Sequence, residues 1–297
     1  MHDNEISLDD ATARALVATQ FPHLAPAPLR RVRSAGTVNT VFRVGEGHAA
    51  RFPLVRSDPD EARRRLEAEA RASAELALAC PFPSPEPVGT GRPGEGYPLP
   101  WTLQTWVEGT DATVDDPGGS EAFASDLALL VRSLRARGTD GRRFTGAGRG
   151  GNLADHEDWA RLCLHRSEGL LDVPRLAALW ERFRRLPRRG PDVMSHGDLI
   201  PGNILVADGR LTGVLDCGGF GPADPALDVS AAWHLLDDGP RGLFRAELGC
   251  DDLEWERSKA WAFVQALGAV WYYVRTNPTM ARTGRRSLAR VLAAPPL

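Results

Sequence analysis

The run Ser195-His196-Gly197-Asp198 is followed by Asn203, five residues after the aspartate, and then by an apolar stretch that closes in Asp216-Cys217-Gly218. A carboxylate such as Asp198 can accept a hydrogen bond from a hydroxyl and then its proton. The Asn203 amide carbonyl and the Asp216 carboxylate are hard oxygen donors of the kind that magnesium takes alongside phosphates and water. Singly, each of the three could be a turn or loop cap. Their joint order and spacing make chance a poor explanation.

His-Gly-Asp, Asn five residues on, and Asp-x-Gly closing an apolar strand resembles the pattern of the aminoglycoside phosphotransferase family and related antibiotic and metabolite kinases. It is also similar to the catalytic and metal-binding segments of protein kinases. The resemblance implies an α+β, bilobal protein-kinase-like fold, with an N-lobe of antiparallel sheet plus helix and a mostly helical C-lobe. It implies Asp198 as catalytic base and Asn203 and Asp216 as Mg2+ ligands, with His196 shaping the loop through hydrogen bonds. Gly221 to Val229 resembles the family's GDPAxDL segment, with Ala223 where the usual Gly stands. Asp224 before Pro225 reads as a helix N-cap with Pro at the first helical position. Asp228, four residues on, is a brace for the catalytic loop and a candidate substrate contact.

The elements that must position these residues begin with strands at 29–33, 40–44 and 49–52, separated by turns at 34–39 and 45–47. A helix starts at Asp58-Pro59-Asp60 and ends before Pro81. Ala35 to Val44 resembles the family's nucleotide loop, which makes Gly36 and Asn39 candidate nucleotide contacts. The kinase pattern next requires a cation, and Arg51 stands where many members carry Lys; Lys259, the only lysine of the chain, comes too late in the sequence. Its partner carboxylate is expected on the following helix, Glu69 rather than Glu67. Main-chain groups around Gln104 to Val107 would meet the base of the nucleotide, so Gln104 and Val107 are candidates. The Pro- and Gly-rich stretch 81–100 and the apolar run after it place the boundary between an N-lobe of 1–107 and a C-lobe of 108–297.

Beyond that boundary, helical patterns run over 121–137, 154–169, 174–186, 225–237, 252–275 and 281–293, interrupted by strand-like pieces at 192–195, 203–206 and 212–215. A length of 297 residues with 42% apolar and 25% charged content suits a globular chain of two lobes. The net charge of −3 offers no field to hold a nucleic-acid backbone. No apolar run is long enough for a membrane span and the N-terminus is acidic, so a cytoplasmic protein is expected. Cys80, Cys163, Cys217 and Cys250 are scattered, which implies neither disulfides nor zinc.

From Asp198 to Glu256 acidic residues outnumber Arg, with a cluster at Glu247, Asp251, Asp252, Glu254 and Glu256 that would attract a cationic acceptor. Glu254, Trp233, Trp255 and Trp271 are therefore candidate substrate contacts, alongside the alternative that they are core and solvated helix face. The resulting expectation is a phosphotransferase using ATP, or GTP, with Mg2+. It would phosphorylate a hydroxyl of a small cationic antibiotic, an aminoglycoside or a tuberactinomycin-type peptide, and would act as monomer or homodimer without nucleic-acid or membrane partners. The alternatives are a metabolite kinase of the same fold, acting on a sugar, amino alcohol or amino acid, and a non-catalytic nucleotide-binding pseudokinase.

Overall fold

A computed structural model describes residues 6–32, 39–188 and 190–295. The turn expected at 34–39, apart from Asn39, and with it Gly36, lies outside the described residues. The chain divides into two compact units: Met1–Leu78, Pro83–Glu108 and Asp216–Gly218 form one, and Ala79–Phe82, Gly109–Leu215 and Gly219–Leu297 the other.

The first unit is built on β1 (Leu29–Arg31), β2 (Asn39–Val44), β3 (His48–Pro53), β4 (Pro87–Gly91) and β5 (Trp101–Thr105). They form one antiparallel sheet in the order β1-β2-β3-β5-β4. Alternation along the strands turns Phe42 and Val44 of β2 and Ala50 and Phe52 of β3 into the core, and leaves Arg51 on the opposite face. Phe52 stacks on Trp101 with ring centroids 4.7 Å apart, and the buried Tyr97 hydroxyl donates to the Pro53 carbonyl at 2.7 Å. Helix α1 (Asp10–Gln20), capped by the Asp9 carboxylate on the Thr12 N–H, adds Ala13, Leu16 and Val17 to the same cluster. Each large apolar side chain so buried contributes about 1.5–3 kcal/mol. Helix α2 (Pro59–Ala79) starts where expected, because Asp58 accepts from the N–H groups of Asp60 and Glu61 and Pro59 needs no donor at the first turn.

The second unit contains a short sheet of β6 (Thr110–Asp111), β8 (Ile204–Ala207) and β9 (Arg210–Val214), and a pair of β7 (Val193–Ser195) with β10 (Gly221–Ala223). Around them lie α3 (Glu121–Ala136), α4 (Glu157–Arg166), α5 (Val173–Phe183), α6 (Ala226–Val229), α7 (Ala231–Leu235), α8 (Asp238–Leu248), α9 (Asp252–Tyr273) and α10 (Pro278–Ala293). The single helix expected over 225–237 is two short helices, and α1, α8 and β4 are additions to the sequence reading. Buried Asp126 of α3 holds Arg210 of β9 through paired bonds of 2.6 and 2.7 Å and accepts from the Leu211 N–H. The architecture is α+β and protein-kinase-like, with an antiparallel sheet and helices first and a mostly helical unit after. No helix among the described residues is long and apolar enough to cross a membrane.

Candidate active site

In the second unit, the loop after β7 carries Asp198. Gly197 has φ of +82°, a conformation that Gly adopts without the cost a Cβ would bring. The loop is fixed from below by Asp228 of α6, whose two oxygens accept from the His196 and Gly197 N–H groups, each at 2.8 Å. His196 is buried. Its Nε2 lies 2.9 Å from the Leu215 carbonyl, which can only accept, so the proton sits on Nε2; Nδ1 then accepts from the Asp198 N–H at 3.3 Å. The ring thus ties the loop to the end of the β8–β9 hairpin.

The Asp198 carboxylate is held on both oxygens. Asn203 Nδ2 donates to Oδ2 at 3.0 Å and to the Asp198 carbonyl at 2.9 Å. Arg149 Nη2 at 2.6 Å and Gln265 Nε2 at 2.5 Å both donate to Oδ1. With its amide nitrogen so used, Asn203 keeps its carbonyl oxygen for another partner. Neither Arg149, from the Gly-rich stretch before α4, nor Gln265 of α9 was found from sequence; both are far along the chain and neither belongs to a motif.

Asp224 is a structural hub. It is 98% buried along with its partner Arg257, each side chain being 2% exposed, and its Oδ2 takes the Arg257 guanidinium and the Trp261 Nε1–H at 2.9 Å. Its Oδ1 accepts from the Ala226 N–H at 3.1 Å, the bond of an N-cap to the second helical position, and Pro225 already has helical φ and ψ ahead of α6.

In the first unit, Arg51, Glu69, Gln104 and Gly218 line one cavity of about 160 Å³, together with Leu66 and Leu103. That is less than the roughly 300–1,000 Å³ of a whole ligand site and suits only part of a ligand. Asp216 is in the left-handed region at φ +58°, which a non-Gly residue rarely occupies, and its Oδ1 accepts from Arg51 at 2.9 Å. Gly218 lies so close to α2 that a Cβ there would be 3.0 Å from the Glu69 Cβ. Arg51 ion-pairs with Asp216, and Glu69 with Arg65, one helical turn earlier at 3.7 Å, while the Arg51 charge also acts on Glu69. Burial raises the Glu69 carboxyl above its ordinary pKa, although the Arg51 charge opposes the shift.

Asn39 opens β2 opposite Pro53, with Val41 opposite Arg51. At the end of β5, the Thr105 and Trp106 N–H groups are taken by the Glu86 and Gly47 carbonyls. Val107 is the first main-chain donor beyond them without a partner among the described residues.

Four expected substrate contacts are corrected. Asp228 is occupied by the catalytic-loop amides. Trp233 and Trp255 are buried against each other at 5.0 Å, and Trp233 donates to Ser258. Glu254 pairs with Arg135 at 2.5 Å, and the rest of the acidic cluster is similarly engaged: Glu247 with Ser125, Asp252 with Arg245, Glu256 with Lys259, while Asp251 caps α9. Trp271 is half-buried beside Trp159. A larger cavity of about 270 Å³ among α5, α9 and α10 is lined by Arg175, Arg182, Glu256 and Lys259 and includes none of the residues expected to act on phosphate.

Among the described residues no group of three or more His, Cys, Asp or Glu side chains could hold a metal ion. The Asn203 carbonyl oxygen in the second unit and the Asp216 carboxylate in the first are each hard oxygen donors of the kind magnesium accepts alongside phosphates and water.

A sheet-and-helix unit of this topology, followed by a mostly helical unit with the His-Gly-Asp loop, defines the protein-kinase-like class. The chain belongs to the phosphotransferase enzyme family (APH), whose profile matches residues 30–267. It is 36% identical over 61 residues to an aminoglycoside 3'-phosphotransferase of Escherichia coli, covering 20% of this chain and 22% of that protein. It is 37% identical over 83 residues to an aminoglycoside 3'-phosphotransferase of Streptomyces fradiae, covering 24% and 31%. The chain thus spans between a fifth and a third of the length of these curated relatives. Among solved structures it resembles wild-type aminoglycoside 2'-phosphotransferase-IIIa in its GDP complex, at 20% identity and a TM-score of 0.70 over 96% of this chain and 99% of that one. It also resembles a macrolide 2'-phosphotransferase from Brachybacterium faecium, at 20% identity and a TM-score of 0.61 over 95% and 97%. At such identities the likeness establishes the fold alone.

Proposed function

We propose that the protein transfers the γ-phosphoryl group of ATP or GTP to a hydroxyl of a small antibiotic, an aminoglycoside being the first choice, and so confers resistance. The observation that carries this reading is the Asp198 carboxylate, held by Asn203, Arg149 and Gln265 on a loop braced by Asp228. A fixed acceptor-only group is what a hydroxyl needs to be oriented and relieved of its proton. Asn203 and Asp216 would hold magnesium, which neutralises charge on the phosphate oxygens when bound. Arg51 would bind phosphate through its fork of donors, and Gln104 and Val107 belong to the strand end that would meet the base. The family membership and the similar structures solved with GDP, ADP, kanamycin and streptomycin support the class of donor and acceptor.

A metabolite hydroxyl is the second reading. It is favoured by the internal pairing of the acidic cluster, which leaves those residues poor attractors of a polycation. The test is incubation with ATP or GTP and Mg2+ against kanamycin, streptomycin, a macrolide and a panel of sugars, amino alcohols and amino acids, read by mass spectrometry. Phosphate added to an antibiotic is expected. Phosphate added only to a metabolite would select the second reading, and neither nucleotide binding nor transfer would leave a pseudokinase.

A further inference from the structure

Behind the Asp198 carboxylate lies a chain of polar groups that neither the motif nor the family resemblance assigns. Gln265 Nε2 donates to Asp198 Oδ1, and Gln265 Oε1 lies 3.0 Å from His234 Nε2; His234 Nδ1 lies 2.8 Å from the Ser287 hydroxyl. These groups come from α9, α7 and α10 of the second unit, and His234 and Ser287 are buried.

Chemistry fixes the direction of the bonds that Gln265 makes. An ionised carboxylate only accepts, so the Gln265 amide must present its NH2 to Asp198 and its carbonyl to His234. That carbonyl can only accept, so His234 carries its proton on Nε2. Burial, aided by the charges of Arg149 and Arg290, pushes the His234 imidazole down to about 3, so the ring is neutral at physiological pH and Nδ1 is an acceptor facing the Ser287 hydroxyl, whose single proton has the Thr283 carbonyl at 3.1 Å as its other acceptor.

The same bookkeeping distinguishes the two oxygens of Asp198. Oδ1 already receives Arg149 and Gln265, which fills both of its lone-pair directions; Oδ2 receives Asn203 and keeps one free. We propose that Gln265 is a positioning residue for phosphoryl transfer, locked by His234, that holds the carboxylate so that Oδ2 accepts the proton of the acceptor hydroxyl. The acceptor O–H bond breaks with its proton going to Oδ2, the oxygen bonds to the γ-phosphorus, and the nucleoside diphosphate leaves. This rests on the reading of Asp198 as the base.

Without His234 the Gln265 amide is free to turn its carbonyl toward the Asp198 carboxylate, where two acceptors repel. Its effect should therefore pass through Gln265. The first measurement is the imidazole 15N–1H correlation of the whole protein at neutral pH, expected to show His234 as the neutral Nε2–H tautomer. An Nδ1–H tautomer or an imidazolium would overturn the relay.

The second measurement compares turnover with kanamycin as acceptor, or nucleotide hydrolysis by water where kanamycin is not phosphorylated. Gln265→Leu should lower kcat about tenfold to hundredfold at unchanged nucleotide affinity, the scale of a misplaced reacting group. His234→Leu should lower it less, and His234→Gln, which keeps a donor toward Gln265, should recover most of it. Gln265→Leu combined with His234→Leu should be no slower than Gln265→Leu alone, whereas multiplying losses would contradict an action through Gln265. Unchanged kcat in Gln265→Leu, with Asp198→Ala inactive, would overturn the positioning role alone. Full turnover in Asp198→Ala would remove the base reading and the proposal with it.

Discussion

Asp198 and Asp216 are both aspartates on short loops that follow strands, and the protein treats them differently. Asp198 accepts from three side chains on a loop whose amides are themselves held by Asp228. Asp216 is 52% exposed, sits in the left-handed region, and has the 23%-exposed Arg51 as its ion-pair partner. A group that must meet a hydroxyl in one orientation gains from being fixed in advance. Arg51 and Asp216, proposed to bind phosphate and magnesium, would be completed by those partners, and an exposed pair of this kind contributes little to the fold. The strain of a non-Gly residue at positive φ, of order 1–3 kcal/mol, is what a ligand-binding position tolerates.

That contrast can be broken most severely at the support of the Asp198 region. Asp224→Ala would leave the Arg257 guanidinium buried without its carboxylate, and chemical denaturation should report a loss of about 3–5 kcal/mol. A loss below about 1 kcal/mol would mean that the buried pair does not hold α6 and α9 together. In the first unit the corresponding effect should fall on binding rather than stability. Arg51→Ala should weaken nucleotide affinity tenfold to hundredfold, about 1.5–3 kcal/mol, measured by titration with Mg2+ present, while leaving the melting temperature nearly unchanged. Arg51→Lys should keep part of the affinity, since a point charge reaches phosphate without the two-pronged contact. Equal affinities for wild type and Arg51→Ala would detach the cavity from the nucleotide.

The smallest effect is expected at Glu69. Its folded pKa is raised, chiefly by burial, so folding favours the protonated form. The stability it allows is fully present below the ordinary carboxylate range and declines as pH rises through the raised value. Glu69→Gln removes that decline. Its melting temperature should match wild type near pH 4 and exceed it near pH 8, and a difference independent of pH would contradict the shift.

The segment proposed to react is legible because its chemistry is local: Asp198, Asn203 and Asp216 lie on one stretch, and the residue types carry their own reason. The sheet was legible in β1, β2 and β3, whose strand-forming residues are separated by turn residues, while β5 read only as an apolar run. Strand β4, Pro87-Val88-Gly89-Thr90-Gly91, reads as a loop because its Pro and Gly content hides pairing that β5 supplies. Helix α8 contains Gly239, Pro240 and Gly242, which break the helical pattern although Pro240, Arg241 and Phe244 are buried. The partners of Asp198 were not legible, since Arg149 and Gln265 lie 49 and 67 residues away and reach it only through the tertiary fold. The acidic run after α8 misled for the same reason: sequence gives the charges, and only packing shows that Arg135, Arg245 and Lys259 neutralise them.

The central claim, that a preset Asp198 takes the acceptor's proton while nucleotide binding lies with other residues, is tested most directly by measuring turnover and nucleotide affinity on Asp198→Asn. Turnover should fall by a factor on the order of hundreds or more while affinity for the magnesium nucleotide stays within about twofold, because the base acts on the acceptor and not on the donor. Near-wild-type turnover in Asp198→Asn, on an acceptor that the wild type phosphorylates, would contradict it.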